Sequence, residues 1–267
     1  MDNQSVDGER KEIESRMQHI KHKLAVMSGK GGVGKSMVTA LLASNLRRRG
    51  NKVGVIDADI TGASIPKIFG VSEKLYSLPV GTIPAKTKSG IKIISTHLLL
   101  EREDQPIIWR GPLIARIIRE FLAGVEWGAL DYLLVDLPPG TSDAPLTVIQ
   151  SIPLDGVVFV TSPQKLSMMV VKKSMNMVKK MGVPLLGMIE NMSYYKCPHC
   201  GKISYIFGKG ITHKSADENG IPFLGKISLD PSLSYLSDSG RMEEYRSEHL
   251  DKIADKLLRT LEHSGRG

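Results

Sequence analysis

Leu24-Ala25-Val26-Met27-Ser28-Gly29-Lys30-Gly31-Gly32-Val33-Gly34-Lys35-Ser36 is the stretch on which the reading of this 267-residue chain turns. A short apolar run predicts a buried strand, a glycine-rich turn follows, and Lys35-Ser36 opens a segment whose apolar positions recur at helical spacing. Strand, glycine turn and helix in that order are the setting of a phosphate-binding loop. Gly29, Gly31, Gly32 and Gly34 let successive backbone N–H groups curl round an anion that side chains would hold off. The following helix aims its unpaired N-terminal N–H groups at the same anion, Lys35 reaches the terminal phosphates, and the Ser36 hydroxyl binds Mg²⁺. The pattern G-x-x-x-x-G-K-S is complete from Gly29 to Ser36, so ATP and Mg²⁺ are the expected ligands.

Working outward, composition predicts one α/β domain over 23–267, preceded by a polar extension over 1–22 that has no apolar leader-like run. No apolar run approaches the ~20 residues that span a bilayer, so a cytoplasmic protein with no membrane partner is expected. Net charge is +8, with basic clusters at Arg47-Arg48-Arg49, Lys172-Lys173 and Lys179-Lys180. Such a balance suits an acidic partner, but basic helix ends are commonly solvated faces, and 5% aromatics leave little to stack bases on. Nucleic acid is therefore not the expected partner.

Further strands end in polar residues. Lys52 to Ile56 runs into Asp57-Ala58-Asp59, and Tyr132 to Val135 runs into Asp136, followed by Leu137-Pro138-Pro139-Gly140. Carboxylates at the C-terminal ends of parallel strands lie where open α/β sheets bind ligands. Alternation past Ala58 predicts Asp57 and Asp59 on the nucleotide side, and Asp136 reads as the Walker B aspartate that holds the Mg²⁺ hydration shell. Pro138-Pro139 cannot continue a central strand, so the backbone leaves the sheet there as a candidate switch loop. Pro184 to Asn191 predicts another strand, whose terminal Asn191 offers the donor and acceptor pair of an adenine edge. Helices alternate with these strands, so the expected fold is a doubly wound, mainly parallel sheet of the P-loop NTPase type. Leu250, Ile253, Ala254, Leu257, Leu258 and Leu261 form a helical stripe whose opposite face mixes both charges, which predicts packing on the sheet.

Lys30 directly follows the first glycine, where cradling one nucleotide needs no second ammonium. The pattern K-G-G-x-G-K-[ST] resembles the deviant Walker A of the MinD/ParA/nitrogenase-iron-protein class. That resemblance implies that Lys30 crosses a dimer interface to the partner's nucleotide, as an arginine finger does. It also implies that Asp59 positions the attacking water and that Asp57 helps hold Mg²⁺ through water.

Both cysteines of the chain lie in Cys197-Pro198-His199-Cys200. A disulfide is disfavoured in a reducing compartment, and one C-x-x-C supplies two of the four thiolates of a closed zinc or [4Fe–4S] site. His199 lies between the cysteines and would chelate poorly with them, while His213 stands as a further candidate for zinc. A symmetric dimer would bring four thiolates together on its axis, the same axis that Lys30 would cross. A thioredoxin-like redox motif is the other reading, though the C-x-x-C is placed in a loop without a helix start to stabilise its thiolate.

Taken together, Gly29 to Ser36, Asp57-Ala58-Asp59-Ile60, Trp109-Arg110-Gly111-Pro112, Asp136 to Thr141, Glu190-Asn191-Met192-Ser193 and Cys197 to Gly201 are similar to the Mrp/ApbC family of iron–sulfur cluster carrier ATPases. The resemblance runs from about Lys23 to Asp230. It implies a homodimeric ATPase that binds [4Fe–4S] through Cys197 and Cys200 of both subunits and passes it to apoproteins. Met37 stands where many relatives carry Thr, which leaves backbone N–H groups alone to meet the α-phosphate and bears on affinity rather than chemistry. No cysteine precedes the loop, so the N-terminal cluster of the eukaryotic-type scaffold relatives is not expected.

Overall fold

The apolar runs form strands because helices on both faces bury each run on both sides. The computed structural model describes residues 13–60, 62–79, 81–99, 111–141 and 143–264. In chain order the elements are β1 (Ile20–Ser28), α1 (Lys35–Arg48), β2 (Val53–Asp57), α2 (Ile65–Ile68), β3 (Tyr76–Leu78), β4 (Gly81–Ile83), β5 (Ala85–Lys86), β6 (Lys92–Ser95), α3 (Gly111–Ala123) and β7 (Leu130–Asp136). There follow α4 (Asp143–Ser151), β8 (Gly156–Thr161), α5 (Lys165–Lys180), β9 (Leu185–Glu190), β10 (Tyr195–Lys196), β11 (Ile203–Ser204), α6 (Thr212–Glu218), β12 (Phe223–Lys226), α7 (Pro231–Asp238) and α8 (Glu248–Ser264).

Eight strands make one sheet in the order β12-β9-β8-β1-β7-β2-β6-β5. All its pairings are parallel except the edge pair β5–β6, which is the expected doubly wound sheet. Strand alternation divides the core in two. Ala25 and Met27 of β1 join Val135, Val157 and Phe159 on one face, while Leu24 and Val26 join Leu134, Val158 and Val160 on the other. The chain winds to opposite sides of β1, and such a reversal opens a crevice at the C-terminal strand ends. Register fills that crevice with acids: Asp57 lies opposite Asp136 on one side and Ser95 on the other.

The domain begins earlier than the 22/23 boundary expected from polarity. β1 starts at Ile20, and Ile13 and Met17, one helical turn apart at i and i+4, are buried in the first core. Three apolar residues within a charged stretch suffice when they share one face. The Thr61 to Gly90 excursion contains a hairpin, β3–β4. The segment after Leu229 forms α7, started by Pro231 and capped by Asp230, whose carboxylate accepts from Ser232 N at 2.9 Å.

α8 packs on the sheet as its stripe predicts, with Leu250, Ile253, Ala254, Leu257 and Leu261 buried. The basic run at the end of α1 is largely spent holding this arrangement. Arg49 Nη1 pairs with Asp255 at 2.6 Å, Arg48 Nη2 with Asp251 at 3.3 Å, and Arg47 Nε donates to Ser89 O at 2.6 Å. Among the described residues no helix is long and apolar enough to cross a membrane. Trp109 and Arg110 lie outside the described residues.

Candidate functional site

β1 ends at Ser28 and the chain turns through Gly29–Gly34 into α1. Gly34 sits in the left-handed region at φ 80°, and a Cβ there would fall 2.2 Å from Asn191 Nδ2. Both conditions select glycine. The loop floors an open cleft of about 300 Å³ walled by Gly31, Lys35, Ser36, Met37, Asp59 and Pro139, among others.

Lys35 is buried, with Nζ 2.7 Å from Asp136 Oδ2 and 3.6 Å from Asp59 Oδ2. Ser36 Oγ donates to Asp136 Oδ2 at 2.6 Å, and Thr39 Oγ1 donates to Asp136 Oδ1 at 2.7 Å. Asp136 is fully buried, so an ammonium and two hydroxyls offset a charge that would otherwise be costly. Thr39 is the residue that motif reading misses. It lies at i+4 from Lys35 on the same helix face, and a hydroxyl in an apolar helical stretch is the available clue.

Asp57 and Asp59 do not share one environment as alternation predicts. Asp59 lines the cleft, whereas Asp57 lies beneath it, fully buried. Asp57 Oδ2 accepts from Ile65 N at 3.1 Å and Ser95 Oγ at 3.2 Å, while Oδ1 has no partner among the described residues. Burial, then the neighbouring Asp136 charge, pushes the Asp57 carboxyl up to about 8 against the pull of Lys35. Burial also raises Asp59, again opposed by Lys35. Surplus carboxylate around one ammonium, an orphaned buried oxygen and the Ser36 hydroxyl form a hard-oxygen donor set, which fits Mg²⁺. No group of three or more His, Cys, Asp or Glu side chains among the described residues is placed to hold a metal alone. An ion that takes its other ligands from water and phosphate needs no such cage.

Two of the expected site residues are engaged by neighbours within the chain. Lys30 turns away from the phosphate cradle of its own chain, and its Nζ donates to Gln164 Oε1 at the start of α5 at 2.6 Å. Asn191 directly follows β9 and is buried, and its Nδ2 donates to Val33 O at 2.9 Å. One of the two N–H donors of the amide is thus committed to the loop, and the side chain is buried. Close approach of the loop at Gly34 makes Asn191 a prop.

Cys197 and Cys200 occupy the tip of an antiparallel hairpin, β10–β11, rather than an irregular loop. Cys197 N donates to Lys202 O and Gly201 N returns to Cys197 O, both at 2.9 Å. Cys197 is half-buried and Cys200 exposed. The backbone N–H groups of Cys200 and then His199, joined by the Cys200 thiol, hold the Cys197 thiol below its ordinary value. Hairpin amides thus supply the stabilisation that a helix start would otherwise give. His213 is engaged with Asp217 Oδ2 at 3.1 Å and stands edge-on to Phe223. Ile203, Tyr205, Ile206, Phe207 and Ile211, which follow the cysteines, are exposed.

A parallel sheet whose central strand feeds a glycine loop, an N-terminal lysine and a strand-end aspartate defines a nucleotide-binding P-loop NTPase. A family model described as the NUBPL iron-transfer P-loop NTPase of the ParA group matches residues 19–262. The chain belongs to that family. The iron-sulfur cluster carrier protein of Methanocaldococcus jannaschii is 47% identical over 256 residues, covering 94% of this chain and 88% of the relative. A nucleotide-binding protein of Archaeoglobus fulgidus, solved in complex with ADP, matches with a TM-score of 0.81 and 46% identity, covering 90% of this chain and 95% of that one. MinD of Aquifex aeolicus, solved with MinC, shares the fold at a TM-score of 0.64 and 21% identity, over 89% of this chain and 95% of that one.

Proposed function

We propose that this chain is an ATP-hydrolysing carrier that holds a [4Fe–4S] cluster between two copies of itself and hands it to apoproteins. One observation carries the reading. The hairpin tip presents a pair of free thiols, Cys200 exposed and Cys197 half-buried and biased toward thiolate, with no third protein ligand beside them among the described residues. Two copies would complete four thiolates, the complement of such a cluster. Family membership and the carrier names of the relatives support the same cargo.

At the nucleotide, the loop amides and Lys35 would grip the phosphates, Ser36 and Asp136 would hold Mg²⁺ with Asp57 behind them, and Asp59 would orient the attacking water. The chemistry that Mg²⁺ would supply there is neutralisation of the charge that develops on the phosphates. Lys30, released from Gln164, reaches the partner copy's nucleotide. Asn191 holds the loop.

The test is anaerobic reconstitution with iron and sulfide, followed by absorption spectra and iron analysis, with Cys197→Ala and Cys200→Ala in parallel. A brown dimer with about four irons, lost in either variant, is the expected result. A colourless protein that retains zinc and forms no cluster would replace the carrier with a metal-linked nucleotide switch.

A further inference from the structure

The phosphate loop and the cysteine hairpin meet at one strand end. Asn191 donates its backbone N–H to Thr161 O at 2.8 Å and its side-chain amide to Val33 O of the loop. The preceding residue, Glu190, is fully buried and serves the other site. Its Oε1 accepts from Ser193 Oγ at 2.5 Å and its Oε2 from Thr212 Oγ1, with Lys226 Nζ 3.8 Å from Oε1. Ser193 and Thr212 bracket the whole hairpin, one on each side of residues 195–211. Gly210 packs its backbone directly on the same carboxylate, where a Cβ would lie 1.9 Å from Oε2. The corner between the two grips is Met192, at φ 54° the one described non-glycine residue with positive φ. Such a conformation persists where its surroundings over-determine it.

We propose that Glu190 is a positioning residue. It clamps both ends of the cysteine hairpin to the strand end whose next residue grips the phosphate loop, so that filling the loop changes the exposure of the thiols. A carboxylate buried among hydroxyl donors holds its partners firmly, because leaving any of them unpaired is costly. Only the identity of the cargo rests on the carrier reading; the coupling is read on the thiols of the metal-free protein.

The experiment compares iodoacetamide alkylation rates of Cys197 and Cys200 with and without ADP, by mass spectrometry. ADP rather than ATP fills the loop without hydrolysis during the measurement. The wild-type ratio is expected to be roughly fivefold or more, the lower end of ordinary coupling between sites. Thr212→Val combined with Ser193→Ala should bring it to about 1 at unchanged ADP affinity, and Thr212→Ser alone should keep it. A wild-type ratio of 1 at saturating ADP, a ratio that survives in the double variant, or a collapse explained by lost ADP affinity would each overturn the proposal. Failure to take up iron leaves this measurement intact.

Discussion

The nucleotide end and the cysteine end of this molecule are built by opposite means. At the first, Lys35, Ser36 and Thr39 converge on the buried Asp136 within a single chain. At the second, two thiols stand at an exposed hairpin tip, followed by uncovered Ile203, Tyr205, Ile206 and Phe207. A site finished inside one core has its geometry fixed by packing and can wait for its ligand. A site left half-made on a surface has its geometry fixed only when something else arrives, which suits a cargo that must also leave. On the proposed reading Lys30 belongs to the second kind although it sits within the loop of the first; its ammonium meets Gln164 Oε1.

Breaking that contrast at Lys30 should have the largest effect. Lys30→Ala is expected to lower ATP turnover by about 10³–10⁵-fold, the range of a cation acting in trans, while ADP affinity measured by titration calorimetry stays unchanged. A matching loss of ADP affinity would return Lys30 to its own chain's site. Next comes the hydroxyl behind the aspartate. Thr39→Val leaves Asp136 Oδ1 unpaired in the core and should cost about 1–3 kcal/mol in urea unfolding, with Thr39→Ser recovering most of it.

A further effect appears with pH. The Asp57 carboxyl is raised in the fold from 3.8 to about 8, so in that window the folded, nucleotide-free protein binds the extra proton. Stability from this group is therefore full below the lower value and lost as pH rises through the upper one. Melting of the wild type should fall relative to Asp57→Asn by several degrees from the acid to the alkaline side of the window. A gap that stays constant with pH would show that Asp57 is not titrating there. The smallest effect belongs to the half-exposed strap between α1 and α8: Asp255→Ala should cost about 0.2–1 kcal/mol and less in high salt.

Much of the nucleotide end was legible in sequence because its parts obey local rules. A glycine loop between strand and helix, and apolar runs that stop at Asp57 and Asp136, are short-range patterns, and the alternation of elements implied the parallel sheet. What stayed hidden depends on packing between distant segments. Thr39 looks like any helix residue until Asp136 is placed beside it. The amide of Asn191 looks free until Val33 O approaches. The hairpin at Cys197 has two-residue strands with no alternation to detect, and Ile13 and Met17 vanish among charged neighbours. One further local sign was there to be read: Asp230-Pro231, cap and first turn, announced α7.

The position of α8 has a consequence for how the chain is made. Its apolar stripe shares a core with Leu41, Leu42 and Leu46 of α1, the helix that begins at Lys35. On the ribosome α1 emerges early and α8 is the last of the described elements to appear. Domains fold as units and transiently exposed apolar surface aggregates, so the helix behind the phosphate loop must wait uncovered through most of synthesis. A nascent chain stalled before Glu248 should therefore be held by chaperones rather than bind nucleotide.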